Sequence, residues 1–462
     1  MGATLVESAH EGLPTRQRRL SFASISLGVG MVVFDSASLF VALPSLSRTF
    51  SVSAADTVLL VLIYQVAVLA SLLPIAAIGD WIGHRRVHLA GLAVFVVASL
   101  LAAAAPSFVA LCAARAIEGI GAAATMAIHG AILRHIYSPH RFGTAVGFTT
   151  FVVAVTGAAT PSIAASILQL GGWHWLFLIN VPFGIVAFAL GSVGLPSERG
   201  KRPPFDTLSA VLIGLAAASL VIAVDLAGRM PPYSLGLVVL LALVASGALL
   251  VRQRNHDLPM LPIDLLRLPV FAGSVAAAIL AFTAQTLAFI ALPFFFQTGL
   301  AMTTSRAGLL LTAWPIATAP VSVFAGWLTS RFRPSTLGGI GMAVFVVAAS
   351  TLGLAIGNSE PNVATVALLL FGCGLGFGLF QAPNNKAMLS SVPRGRAAAA
   401  SGMQAMSRLL GQALGAAIAG AFLAAGGAAV NTAAVFVAAL AGACAGAAAV
   451  LPGRLLKVER LS

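Results

Sequence analysis

Long apolar runs alternate with short polar breaks from one end of the chain to the other. Each run holds about 20 residues or more, the length that a helix needs to cross a bilayer core about 30 Å thick. Strands of a membrane barrel would be about 10 residues long with alternating polarity, and that alternation is absent. The pattern predicts fourteen transmembrane helices, numbered here in chain order, at 20–44, 56–78, 87–105, 108–132, 143–169, 174–195, 206–227, 233–252, 270–296, 305–329, 336–357, 362–385, 397–425 and 429–451.

The composition agrees with a membrane protein. The 462 residues are 59% hydrophobic and 8% charged, whereas a soluble domain carries about 25% charged residues. A soluble chain this apolar could not cover its surface with polar groups. Lipid is therefore the expected solvent.

Basic residues indicate which side each loop faces. If the N terminus is inside, 21 of the 26 Lys and Arg residues lie on the inner side, Arg48, Arg229 and Arg306 lie outside, and Arg115 and Arg408 lie within spans. This bias follows the positive-inside rule and predicts a multi-pass protein of the cytoplasmic (inner) membrane with both termini in the cytoplasm. Because the basic residues are spread over loops, the net charge of +13 does not indicate nucleic-acid binding.

The longest inner connections bracket helices 7 and 8, with six helices before them and six after. Two six-helix halves are typical of a large transporter class. The predicted organisation is a cytoplasmic tail at 1–19, an N-terminal six-helix bundle at 20–199, a linker hairpin at 200–258, a C-terminal six-helix bundle at 259–452 and a cytoplasmic tail at 453–462.

Three segments carry recognisable motifs. The loop after helix 2 contains Asp80, Gly83, Arg85 and Arg86 and looks like GxLxDRxGRR. Helix 4 contains Arg115-Ala-Ile-Glu118-Gly-Ile-Gly-Ala-Ala, similar to RxxQGxGAA, and Trp173–Gly184 closely matches WRWxFxINxPxG. Together they resemble the major facilitator superfamily, specifically its fourteen-helix drug:proton antiporter branch. The resemblance implies an all-α integral membrane fold with two six-helix bundles and a two-helix insertion between them.

Helices 1 and 5 depart from the pattern of that branch. Helix 1 reads Asp35-Ser-Ala-Ser-Leu-Phe40, with Phe40 in place of the usual asparagine. The helix 5 antiporter motif GxxxGPxxGG survives as Thr156, Thr160 and Pro161 with small residues after it. Small side chains still allow helices to approach closely, so we expect these three residues to form a helix-packing motif.

Ionisable side chains within spans are few, and each costs about 2.5–3.5 kcal/mol at the bilayer centre on insertion scales. Asp35 lies well inside helix 1, and Arg115 and Glu118 are three apart on helix 4, hence on one face. We expect these three to carry protons or to meet substrate. The alternatives are a packing carboxylate bonded to neighbouring hydroxyls for Asp35, and a static ion pair for Arg115 and Glu118.

The resemblance implies that Asp80, Gly83, Arg85 and Arg86 act as a conformational latch; a basic loop that only sets topology is the alternative. Uncharged polar and aromatic residues within spans are candidates for lining a central cavity, with helix packing or lipid contact as the alternative. They are Gln65, Asn180, Gln285, Phe289, Gln297, Gln381 and Asn384.

The chain has no nucleotide-binding glycine loop followed by lysine, no metal-ligand cluster and no nucleophile elbow. We therefore expect neither an enzyme nor a cofactor, and an ion gradient as the energy source. The predicted function is multidrug-type export of small amphipathic or hydrophobic compounds in exchange for protons, by alternating access, in a monomer that contacts substrate, protons and lipid. The rivals are an exporter that is uncoupled or differently coupled, and a non-transporting receptor or subunit.

Overall fold

A computed structural model describes residues 14–197, 206–226, 232–254, 263–357, 362–393, 396–425 and 428–459. Within these ranges the chain forms fourteen long helices and no strand. They are α1 (Thr15–Phe50), α2 (Leu59–Ile82), α3 (His84–Ala103), α4 (Phe108–Ile136), α5 (Pro139–Gly171), α6 (Asn180–Gly194), α7 (Thr207–Leu226), α8 (Pro232–Arg254), α9 (Pro269–Phe294), α10 (Thr304–Leu328), α11 (Pro334–Gly357), α12 (Val363–Ser390), α13 (Ala397–Ala425) and α14 (Ala428–Glu459).

The predicted all-α membrane fold is confirmed. In the described part of the chain, thirteen helical segments are long and apolar enough to cross a membrane, and α14 adds a shorter apolar stretch at Ala434–Val450. The helix that contains the first predicted span, α1, begins at Thr15, directly after Pro14. The basic residues Arg18 and Arg19 are therefore helical. Similarly, α14 extends to Glu459, past the predicted start of the C-terminal tail at 453.

Several predicted features lie outside the described residues. They are the domain boundaries near 199 and 258, most of the N-terminal tail, and the basic residues Arg199, Lys201, Arg202, Arg229, Arg394 and Arg460.

Local sequence explains where several helices begin. The Ser107 hydroxyl accepts a hydrogen bond from the Ala110 amide at the start of α4, and the Asn362 side chain accepts from Ala364 and Thr365 at the start of α12. Such caps satisfy amide groups that have no partner within the helix. Gly83 separates α2 from α3 with a φ of 102°, a conformation that glycine adopts without a steric penalty.

Helix packing repeats between the two halves. In the N-terminal half α1 packs on α5 and α6, α3 packs on α4 and α6, and α2 packs on α4. In the C-terminal half α9 packs on α13 and α14, α11 packs on α12 and α14, and α10 packs on α12. Every pair in the first set recurs eight helices later, so the predicted internal repeat is present in the packing.

Glycines mark this repeat at atomic detail. A methyl group added to Gly121 of α4 would lie 2.7 Å from the backbone nitrogen of Phe95 and 2.9 Å from the Gly91 carbonyl oxygen on α3. The same addition to Gly376 of α12 would lie 2.5 Å from the nitrogen of Phe345 and 2.6 Å from the Gly341 oxygen on α11. Small residues let helix backbones approach this closely in a membrane.

In the described residues the halves meet where α1 packs on α9, α2 on α13 and α5 on α10. The short helix Ala54–Thr57 also contacts α13, and α1 touches α10. Helix α7 of the hairpin also packs on α2 and α13, so it lies against one helix from each half. The hairpin is thus attached where the halves meet.

Candidate functional site

A buried ion-pair network joins α1 to α4. The Arg115 guanidinium donates from Nη1 to Oδ2 of Asp35 at 2.7 Å and to Oε2 of Glu118 at 2.6 Å. The relative exposure of these three residues is 1% or less. The pairing of Arg115 with Glu118 follows from their spacing on one helix, whereas Asp35 is brought in by the packing of α1 against α4. We call Asp35, Arg115 and Glu118 the triad.

Each member of the triad has further partners. The Asn180 amide of α6 donates to Oδ1 of Asp35 at 3.2 Å, and the Ser99 hydroxyl of α3 donates to Oε1 of Glu118 at 2.6 Å. Buried charges are tolerated when they are paired and their remaining lone pairs are satisfied. The network therefore draws on α1, α3, α4 and α6 of the same half.

Tyr64 of α2 completes the surroundings of Arg115. The guanidinium carbon lies 4.1 Å from the centre of the Tyr64 ring, a cation–π geometry, and the tyrosine hydroxyl accepts a bond from Ser36 at 3.2 Å. Tyr64 and Ser99 were missed in the sequence. The available signal was weak: Tyr64 is one of three tyrosines in the chain, and serines are common in apolar helices.

The loop between α2 and α3 has the tight turn expected at Gly83. Asp80, with its side chain 64% exposed, lies 3.2 Å from Nε2 of His84, and Arg85 donates to the Ser192 carbonyl at the end of α6. Arg86 is exposed. In this conformation the described contacts of Asp80 and Arg85 lie within the N-terminal half.

The helix 5 motif lies where the halves touch. The Pro161 carbonyl and Ala165 of α5 press against Gly308 of α10, so closely that a methyl group on Gly308 would lie 2.7 Å from the Pro161 oxygen. Ser162 and Thr312 share a hydrogen bond of 2.7 Å nearby. Thr160 bonds to the Thr156 carbonyl of its own helix. The glycine needed for close approach is thus on α10.

Two of the cavity candidates make hydrogen bonds to other helices. The Gln297 amide donates to the Val41 carbonyl of α1 at 3.1 Å, and its Oε1 accepts from Thr304. The Asn384 amide donates to the Ser274 carbonyl of α9 at 3.0 Å. Both side chains are buried. In this conformation both amides tie neighbouring helices together, because buried polar groups need hydrogen-bond partners.

The other cavity candidates differ in their surroundings. Gln65 is buried and its Oε1 has no hydrogen-bond partner in the described structure, while Gln285 and Gln381 are half-buried. Asn180 belongs to the triad's surroundings. The Phe289 ring lies 6.0 Å from Phe40 of α1 and 5.1 Å from Trp314 of α10, so an aromatic cluster spans the two halves. Among the described residues, no three His, Cys, Asp or Glu side chains lie together as a metal ion would require.

Comparison with known proteins agrees with this architecture. The sequence model of the Major Facilitator Superfamily matches residues 25–273 and 274–460. The chain is 40% identical to an uncharacterized transporter, YebQ of Escherichia coli K12, over 87% of this chain and 88% of that protein. It is 30% identical to the multidrug efflux pump LfrA of Mycolicibacterium smegmatis, over 87% of this chain and 81% of the pump.

A solved structure shares the fold. A bacterial homologue of the human lysosomal transporter Spinster, in an inward-facing and unoccupied conformation, superposes with a TM-score of 0.69 over 96% of this chain and 98% of that one. The two sequences are 15% identical.

Proposed function

The chain belongs to the major facilitator superfamily of membrane transporters, and on that premise we propose that it exports small amphipathic or hydrophobic molecules in exchange for protons. The observation that carries the proposal is the buried triad. Its two carboxyl groups share one guanidinium, so the triad is neutral only when it holds one proton. Because uncompensated charge is costly in a buried site, proton uptake and release at the triad are tied to its surroundings.

Proton binding at Asp35 would change contacts between helices. A protonated Asp35 no longer attracts Arg115 as an ion, and Arg115 then pairs with Glu118 alone on α4. The bond between α1 and α4 weakens while Asn180 can still bond to the neutral carboxyl. The proton thus alters how α1 is held against the rest of its half, which is the type of coupling that alternating access requires.

The contacts between halves suit rocking motions. Gly308 against α5, the Ser162–Thr312 bond and the Gln297–Val41 bond all lie near the ends that the charge bias predicts to face outside. Each is a small contact that can separate without unfolding a helix. Under the predicted topology, these contacts close the outer side in this conformation. The latch of the inner side is formed by Asp80, Gly83, Arg85 and Arg86.

The aromatic cluster of Phe40, Phe289 and Trp314 supports the proposed substrate class. Aromatic faces between the halves suit ligands that bury apolar area. The homology to a multidrug efflux pump points in the same direction. Trp314 adds an indole nitrogen that is buried without a partner in the described residues, a donor that a ligand oxygen could accept from.

Transport by the purified chain in proteoliposomes tests the proposal. With a pH gradient imposed, we expect the chain to move an aromatic probe against the probe's own concentration gradient. Two probes of opposite charge are tested, the cation ethidium and the anion naphthalene-2-sulfonate. Collapse of the pH gradient with nigericin should stop it. Downhill movement that is indifferent to nigericin would indicate an uncoupled exporter, and binding of a probe with no movement would indicate a receptor.

A further inference from the structure

Arg408 lies in the interior of α13, the helix of the C-terminal half that packs on α2. Of the 26 basic residues, only Arg115 and Arg408 fall within the interior of predicted spans. Arg115 has two carboxylate partners. Arg408 is half-buried, and its neighbours are of a different kind.

The described neighbours of Arg408 provide no counter-charge. Its Nη2 lies 4.0 Å from the thioether sulfur of Met126 on α4, and a thioether is a weak acceptor. Tyr64 and His129 are the titratable groups close enough to interact electrostatically with it. Within the described part of the chain, no carboxylate is paired with Arg408.

The nearby carboxylates are already used. Asp35 accepts bonds from Arg115 and Asn180, and Glu118 accepts from Arg115 and Ser99. For either to pair with Arg408, an existing bond of the triad would have to break. A half-buried guanidinium within a membrane span is costly when it lacks an anion, so its partner is best sought outside the chain.

The location suits a ligand. Arg408 projects from the C-terminal half toward Met126 of the N-terminal half, so its charge lies where the two halves face each other. Leu409, next to it, packs with an apolar cluster that includes Tyr64 and Val68. The partly buried side chains packed against this cluster include Met126, Ala405 and Met406. A molecule bound here would meet a planar cation beside apolar side chains, a combination that suits an amphipathic anion.

We propose that Arg408 binds an acidic group, a carboxylate, sulfonate or phosphate, of the molecule that this transporter carries. This inference rests on the proposed function and narrows its substrate class from amphipathic compounds in general to amphipathic anions. Arg408 then recognises the charge, while the triad across the interface handles the proton.

A matched pair of probes tests the inference by equilibrium binding to the purified protein in detergent. Naphthalene-2-sulfonate carries a negative charge, and naphthalene-2-sulfonamide has the same ring system without the charge. We expect wild type to bind the sulfonate more tightly than the sulfonamide. Arg408→Gln should weaken sulfonate binding by a factor of about ten or more, the value of a charged hydrogen bond, and leave the sulfonamide unchanged.

Two variants separate recognition from general damage. Arg331→Gln removes an exposed arginine that stacks on Trp327 at the end of α10, and it should bind both probes as wild type does. Arg408→Lys keeps the charge but loses the planar fork, so its sulfonate affinity should fall between those of wild type and Arg408→Gln.

Equal affinity of wild type for the two probes would overturn the inference without any variant. So would an Arg408→Gln protein that binds the sulfonate as tightly as wild type, or one that loses both probes by the same factor. Displacement of the sulfonate by phosphatidylglycerol, but not by naphthalene-2-carboxylate, would assign the site to a lipid headgroup and also overturn it. Charge-selective binding without transport would keep Arg408 as the group that binds the anion but would overturn the claim that the anion is a transported substrate, together with the proposed export function.

Discussion

The two halves of the molecule share their packing but differ in the charges they enclose. Gly119 of α4 presses on the Tyr64 carbonyl and Ala67 of α2, and Gly374 of α12 presses in the same way on the Trp314 carbonyl and Ala317 of α10. The two halves therefore repeat the same glycine contact at this position.

Around those shared contacts the chemistry diverges. One turn before Gly119 is Arg115, and directly before it is Glu118; the corresponding positions before Gly374 are Leu370 and Cys373. Trp314 of α10 corresponds to Tyr64 of α2, whose ring contacts the Arg115 guanidinium in the N-terminal half. The glycine contacts are thus common to both halves, whereas the ionisable side chains beside them are present in the N-terminal half alone.

This asymmetry fits the proposed transporter, in which the triad of the N-terminal half binds and releases the proton and the C-terminal half recognises the substrate.

Neutralising Asp35 should remove the function of the triad. We expect Asp35→Asn to reduce proton-driven transport in proteoliposomes to the level of protein-free vesicles, because a permanently neutral side chain can neither release a proton nor attract Arg115 as an ion. Asp264→Asn is the matched control, since Asp264 forms a half-exposed pair with Arg396 outside the spans. Normal gradient-driven transport by Asp35→Asn would contradict the role of the triad.

Replacing Arg115 and Glu118 by the residues at the corresponding positions of the C-terminal half should separate the effect of charge on stability from that of packing. Arg115→Leu leaves two carboxyl groups without their cation and should destabilise the fold by about 3–5 kcal/mol, measured as a lower melting temperature in detergent. The double variant Arg115→Leu/Glu118→Cys reproduces Leu370 and Cys373, and it should recover part of that loss. If the double variant melts no higher than the single variant, the equivalence of the two halves is wrong at this position.

The shared glycine contacts should be equally sensitive in both halves. Gly121→Ala and Gly376→Ala each place a methyl group against the neighbouring backbone and should destabilise by about 1–3 kcal/mol. Gly130→Ala on α4 is the control, because nothing lies within 4 Å of the added carbon. Thermal melting of the three variants measures the effect, and a loss confined to one half would show that the repeat is unequal in energy.

The ion pair of the hairpin should contribute least to the stability of the fold. Arg252 donates to Asp206 at 2.8 Å and holds the pKa of that carboxyl well below its usual range. Since the pKa is lower in the folded than in the unfolded state, the pair stabilises at neutral pH and loses its effect only as the pH falls below about 4. Asp206→Asn should cost about 1 kcal/mol or less at pH 7; an equal melting-temperature shift at pH 7 and pH 3 would contradict this sign.

The sequence predicted some contacts of the site and not others. The spacing of Arg115 and Glu118 on one helix predicted their contact, and Gly83 predicted a turn. Asp35 was chosen correctly as a buried acid, but its partners Arg115 and Asn180 are distant in the sequence and its link to them could not be predicted. Gln297 and Asn384 were candidates for lining a cavity because they are polar residues within spans. In the structure each donates a hydrogen bond to a backbone carbonyl of another helix.

The order of residues was enough to predict a chain that spans a membrane in many helices and that resembles a transporter family. Lipid requires long apolar helices whose backbone groups bond internally, and long apolar runs are visible in the sequence. The network of Asp35, Arg115 and Glu118 is formed by the packing of α1 against α4, and the same folding leaves Arg408 without a carboxylate among the described residues. Most helices here are apolar on all faces, so the sequence contains little information on which face of a helix meets which neighbour; close packing between helices makes that choice.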